Sequence, residues 1–225
     1  MESKIIVALD GMSEAESLDL ADRLKGAVWG FKVNSLLISS GVSVIEKLRA
    51  RGKVFADPKL HDIPNTVSNA VKEIVAAGAD LVTIHASGGR SMIEAAVSAS
   101  GSAKILCVTA LTSLDDSTTQ EVYQRSPSET VEALAALAAR SNAHGIVCSP
   151  LELEMLQTTT ATRQLYKVVP GIRPASYSTA DDQRRIATPK SAITSGADLL
   201  VVGRPITQAE DPVRAAQDIN NELTE

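Results

Sequence analysis

Residues 76–86 read AAGADLVTIHA, and residues 194–204 read TSGADLLVVGR. Each stretch begins among small residues, passes through Gly-Ala-Asp and enters a run of apolar, mostly branched residues. Gly78 and Gly196 suit the left-handed conformation that ends a helix. The runs after them are nearly continuous, as in a parallel strand covered on both faces; a strand with one wet face alternates strictly. The two joints describe one helix-to-buried-strand unit used more than once.

Six further runs carry the same signature: KIIVAL (4–9), AVWGFKV (27–33), KVFAD (53–57), AKILCVTAL (103–111), GIVCS (145–149) and YKVVPG (166–171). Segments of helical periodicity separate them. In MSEAESLDLADRL (12–24), Ser13 and Glu16 have capping-box spacing; in SPSETVEALAALAAR (126–140), Ser128 is the expected cap before an Ala/Leu-rich face. Eight βα units in 225 residues predict an α/β protein, a single domain over residues 1–225 closed as a (β/α)8 TIM barrel. An open dinucleotide-binding sheet loses its main support because no GxGxxG follows the first run. The longest irregular stretch, GIRPASYSTADDQRR (171–185), follows the seventh run, and loops of that length in compact domains are usually functional lids or disordered.

Composition narrows the classes of function. A net charge of −5 with scattered basic residues leaves no electrostatic footprint for nucleic acid, though it permits a local phosphate site. No run reaches membrane-spanning length and the N-terminal apolar run is too short for a signal peptide, so the expected location is cytoplasmic. Cys107 and Cys148 sit inside apolar runs without a CxxC pattern and read as buried free thiols. The three histidines are too dispersed to announce a metal site.

In a barrel of this kind the active site forms at the C-terminal ends of the strands. The residues just past each run are Asp10, Lys32, the group Asp57, Lys59 and Asp62, then His85, Thr109, Thr112, Gly171, Arg173, Gly203 and Arg204. Polar groups concentrate at one rim. In ADPKLHD (56–62), Asp57 and Lys59 are two apart and share a face if the strand persists, with Pro58 on the other. The same spacing also fits a structural ion-pair network. PGIRP after the seventh run and VVGRPITQ after the eighth each offer a glycine for close backbone approach and an arginine for charge, as a phosphate site requires. Taken singly, either loop is also an ordinary turn. His85 could be a base, but a histidine at a strand end is at least as often a hydrogen-bonded wall of the site and is not read as catalytic; His61 receives the same reading, and His144 reads as structural.

Taken together, VALD, FKV, DPKLHDIPNTV, VTALTS, VVPGIRP, DDQRRIATP and VVGRPIT closely resemble the orotidine 5'-monophosphate decarboxylase family, in order from Lys4 to about Pro212. The resemblance implies decarboxylation of orotidine 5'-monophosphate to uridine 5'-monophosphate with no metal or organic cofactor. It implies that Lys59 stabilises and protonates pyrimidine C6, that Asp57 lies near the departing carboxylate and that Lys32 completes the charge array. Asp10 is implied on the ribose and Thr112 on the pyrimidine amide. Arg173, Gln183, Gly203 and Arg204 are implied on the phosphate, and Asp62 and Thr66 in the neighbouring site of a homodimer. Sugar-phosphate lyases and decarboxylases of the same superfamily share DxKxxD but typically carry an acidic metal ligand where this chain has Lys32. A non-catalytic barrel that binds a phosphorylated ligand is the reading of a different class. Asn34 stands where many members have Gly, and Pro58 where many have an aliphatic residue.

Overall fold

The computed structural model describes residues 3–174, 177 and 186–223. Eight parallel strands lie where the apolar runs predict them: β1 (Ile5–Ala8), β2 (Gly30–Val33), β3 (Lys53–Leu60), β4 (Leu81–His85), β5 (Lys104–Val108), β6 (Gly145–Val147), β7 (Tyr166–Val169) and β8 (Leu199–Val202). They pair in chain order, and β1 closes the barrel on β8 with Ile6 opposite Val201.

Alternation inside a closed barrel explains why these runs are apolar on both faces. Ile6, Phe55, Leu81, Leu106, Val168 and Leu199 pack together as one cluster within the strands. Ile5, Val7, Phe31, Val54, Val82 and Leu200 instead join the larger core shared with the helices. Each such buried side chain contributes about 1.5–3 kcal/mol relative to exposure, so both faces drive folding. Lys32 and Asp57 fall on the inner parity, next to Phe31 and Ala56 of the outer core. Among the described residues, no helix is long and apolar enough to cross a membrane.

The repeated Gly-Ala-Asp has a physical role. Gly78 and Gly196 have φ of 100° and 101°, ending the helices Pro64–Ala76 and Pro189–Thr194. The Asp80 carboxylate accepts from the Val54 N–H at 2.8 Å, and its own N–H donates to the Val54 carbonyl at 2.8 Å. Asp198 does the same to Lys167, at 2.7 and 2.9 Å. Each aspartate thus grips one residue of the preceding strand and fixes where the next strand begins.

A third joint of this kind is spelled differently. Asn142 takes the left-handed position, φ 58°, which Asn tolerates better than most residues. His144 stands in for the aspartate, its Nδ1 accepting from the Ile105 N–H at 3.0 Å. The structural reading of His144 therefore holds.

One capping assignment is corrected. The helix Pro127–Arg140 is capped by Ser126, not Ser128: Ser126 Oγ accepts from the Glu129 N–H and the Glu129 carboxylate accepts from the Ser126 N–H at 3.0 Å. The Ser-x-x-Glu spacing is met from 126 to 129, and Pro127 occupies the first helical position, where a missing N–H costs nothing. Ser13 and Glu16 form the expected capping box. Cys107 and Cys148 are buried free thiols, and burial pushes the Cys107 thiol up to about 12.

Burial, and secondarily the Lys104 charge, hold the His144 pKa below its ordinary value. A depressed histidine stabilises the fold fully above its unfolded value and loses that contribution as pH falls through it, here below about 6.5. Protonation also sets an N–H against the Ile105 N–H. Melting temperature should therefore fall more steeply between pH 7.5 and 5 in the unaltered protein than in His144→Asn, whose amide oxygen accepts without titrating; equal slopes would refute this role.

Candidate active site

Three strand ends bring four charges together. Lys32, at the end of β2, places Nζ 2.7 Å from Asp10 Oδ2 and 3.4 Å from Asp57 Oδ2. Lys59 Nζ lies 2.7 Å from the same Asp57 oxygen. The other Asp57 oxygen accepts from Thr83 Oγ1 at 2.8 Å. The Asp57 side chain is 8% exposed, a burial that an ion withstands only when paired and hydrogen-bonded on both oxygens, as here.

Asp57 and Lys59 share the cavity face as expected, but simple alternation does not produce this geometry. β3 pairs regularly with β4 to Ala56 opposite Val82, then shifts so that Leu60 lies opposite Ile84; four residues of β3 span two of β4. Within that bulge Lys59 is left-handed, φ 51°, a conformation costing a non-glycine residue on the order of 1 kcal/mol or more. The Lys59 N–H is held by Thr83 Oγ1 at 3.0 Å, the same hydroxyl that donates to Asp57. Lys59 and Asp57 do meet, but through a bulge that Thr83 secures.

These groups line one wall of a cavity of about 500 Å3. Asp10, Lys32, Asp57 and Lys59 share it with Thr112, Arg173, Gly203 and Arg204, while Ala8, Phe55, Val147 and Val201 supply apolar lining. Nine of the residues expected from the strand ends, Gly171 among them, thus converge: Arg173 and Arg204 come from the segments after β7 and β8, as a phosphate site requires. Arg173 is buried, donates to the Ile172 carbonyl at 2.8 Å and lies over the Tyr177 ring at 5.6 Å.

Other expected residues stand apart. Asp62 and Thr66 are exposed and outside the cavity lining, with the Asp62 carboxylate accepting from the Ile63 N–H at 2.6 Å. Gln183 lies outside the described residues. Thr109 is buried and donates to the Val147 carbonyl at 3.1 Å, a structural bond. His85 is half-buried with its ring centroid 5.5 Å from that of His61, and does not line the cavity. Burial first, then the neighbouring His61 and Lys59 charges, lower its pKa and favour the neutral ring.

The strand-end rule missed Thr83, Asn34, Thr207 and Gln208. Thr83 lies within an apolar run rather than past its end; the signal available was its polarity at an inward position of β4. Thr207 and Gln208 line the cavity from one turn beyond Arg204.

Comparison with known proteins agrees with this geometry. The sequence profile of the orotidine 5'-phosphate decarboxylase / HUMPS family matches residues 3–219. The orotidine 5'-phosphate decarboxylase of Paramagnetospirillum magneticum is 46% identical with 99% of each chain covered, and that of Nitrosospira multiformis is 42% identical over 99% of this chain and 94% of its own. The crystal structure of orotidine 5'-phosphate decarboxylase from Lactobacillus acidophilus superposes with a TM-score of 0.85 at 36% identity, covering 100% of both chains. A barrel closed in chain order, a DxKxxD core at the end of β3 and full-length identity at this level lead to one conclusion: the chain belongs to the orotidine 5'-phosphate decarboxylase / HUMPS family.

Proposed function

We propose that this chain is a carboxy-lyase that converts orotidine 5'-monophosphate to uridine 5'-monophosphate and CO2, the final step of pyrimidine nucleotide synthesis, in the cytoplasm and without a cofactor. The observation that carries the reading is the Lys32–Asp57–Lys59 array facing a cavity that also holds Arg173 and Arg204. A nucleoside monophosphate has a phosphate for the arginines and a ring that reaches the lysines.

The chemistry needs such an array. When the bond from C6 to its carboxylate breaks, CO2 leaves and the electron pair stays localised on an sp2 carbon with no attached electron sink. A fixed ammonium beside that carbon stabilises the developing charge with no reorganisation at the moment of reaction. In this reading Lys59 then transfers one proton to C6, giving uridine monophosphate, and regains a proton from water. Asp57 lies near the departing carboxylate and holds Lys59 in place, while Lys32 completes the array and reaches the ribose with Asp10. Thr112 meets the pyrimidine amide, and Arg173, Gln183, Gly203 and Arg204 hold the phosphate. Binding energy from that remote phosphate serves to orient the ring, so it supports turnover as well as affinity.

The position of Lys32 favours this reaction over the metal-dependent sugar-phosphate branch of the superfamily. Its ammonium stands between Asp10 and Asp57, where a divalent cation shared by those carboxylates would have to displace it. Purified, EDTA-treated protein should convert orotidine 5'-monophosphate, followed by ultraviolet absorbance, and Lys59→Ala should lose at least about 10³-fold in rate. Well-folded protein that leaves this substrate untouched but turns over a keto-sugar phosphate with magnesium would overturn the proposal.

The working unit in this reading is a homodimer in which Asp62 and Thr66 enter the neighbouring site. Their exposure on the loop and helix after β3 supports it, together with Ile63 beside Asp62 at 67% exposed and Ile38 on the short helix after β2 at 90% exposed. Mixing inactive Lys59→Ala with inactive Asp62→Ala should restore activity through hybrid dimers that contain one intact site. No recovery despite demonstrated subunit exchange would count against a shared site.

A further inference from the structure

Asn34 lies outside the cavity lining, yet its side chain is committed to the segment that carries the reacting pair. Its Nδ2 donates to the Asp57 carbonyl at 2.7 Å. That residue lies just past the last β2–β3 register pair, Val33 opposite Ala56, and inside the interval where β3 slips against β4. Pro58 follows and has no N–H to give, and Lys59 after it is left-handed. The tripeptide Asp57-Pro58-Lys59 thus has little regular ladder to hold it.

Two side chains replace that ladder. From β4, Thr83 Oγ1 accepts the Lys59 N–H at 3.0 Å. From the end of β2, Asn34 donates to the Asp57 carbonyl, so the tripeptide is clamped at both ends by opposite neighbours. Asn34 directly precedes the short helix Ser35–Ser39, a place where asparagine ordinarily caps, but it makes no side-chain cap bond there. Its amide serves Asp57 instead.

We infer that Asn34 is a positioning residue for decarboxylation, holding the backbone of Asp57 and through it the Asp57–Lys59 ion pair; the inference rests on the decarboxylase reading above. Asn34 touches neither the cavity nor the proposed phosphate groups. Its loss should act on the chemical step and spare product binding, which depends on the phosphate, ribose and base contacts.

The test compares the unaltered protein with Asn34→Ala and Asn34→Asp, measuring kcat on orotidine 5'-monophosphate, Kd for uridine 5'-monophosphate, and thermal melting to establish that each chain is folded. Asn34→Ala should lower kcat roughly ten- to hundredfold, as displacement by a fraction of an ångström at a reacting pair does. The Kd for uridine monophosphate should stay within about twofold, the signature of an interaction that matters in the transition state. Asn34→Asp adds a readout that a structural role would not move. Its carboxyl donates to the Asp57 carbonyl only when protonated, so its activity relative to the unaltered protein should rise as pH falls toward about 4. Wild-type kcat in Asn34→Ala, equal losses in kcat and product affinity, or a flat pH ratio in Asn34→Asp would each overturn the inference. Should Asn34→Ala fail to fold, the Asn34→Asp ratio decides alone. Absence of turnover in the unaltered protein is a separate result, which defeats the decarboxylase reading itself.

Discussion

The structure turns on a single carboxylate. Asp57 shares one oxygen between the ammonium groups of Lys59 and Lys32 and gives the other to Thr83. Burying a charge so deeply is costly unless every lone pair is used, and removing one partner from such a group leaves an uncompensated ion. The surroundings follow from that requirement. β2 must end with Lys32 pointing inward, β4 must place a hydroxyl opposite the bulge, and β3 must depart from regular pairing to turn the Lys59 ammonium back onto Asp57. The left-handed Lys59 is the local cost of that turn, offset by the hydrogen bond and ion pair that it makes.

A closed barrel is well suited to holding such a site. Its strands are covered on both faces, so their positions are set by extensive apolar burial far from the charges. The joints at the opposite ends of the strands add register: Asp80 grips Val54 on β3, and Asp198 grips Lys167 on β7. Val54 lies three residues before Asp57 on the same strand. The joint that starts β4 therefore also holds the strand that carries the Asp57–Lys59 pair.

Much of this was legible in the sequence, for identifiable reasons. The eight strands announced themselves because parallel, doubly covered strands are continuous in hydrophobicity, and the strand-end rule located Asp10, Lys32, Asp57, Lys59, Thr112, Gly171, Arg173, Gly203 and Arg204 around one cavity. What escaped was chemistry written in substitutes. Asn142 and His144 perform the work of Gly and Asp, so the third joint did not look like the other two. Ser128 drew attention from Ser126 because Pro127 separates the cap from the apolar face. Thr83 was hidden inside an apolar run, and the bulge at Lys59 was invisible because alternation and a bulge can bring the same two side chains together. Asn34 stood out only as a departure from the family pattern; its partner is a backbone carbonyl, which no sequence displays.

Asp57 is the organiser of the charge array rather than one more polar group at the rim. Its most direct test is Asp57→Asn, which keeps the shape and the bond to Thr83 but removes the charge shared by the two lysines. The measurement is kcat on orotidine 5'-monophosphate set beside Kd for uridine 5'-monophosphate. Asp57→Asn should lose at least about 10²–10³-fold in kcat with product binding retained, as expected when a preorganised charge is taken from a site. A variant that keeps most of its kcat would contradict it.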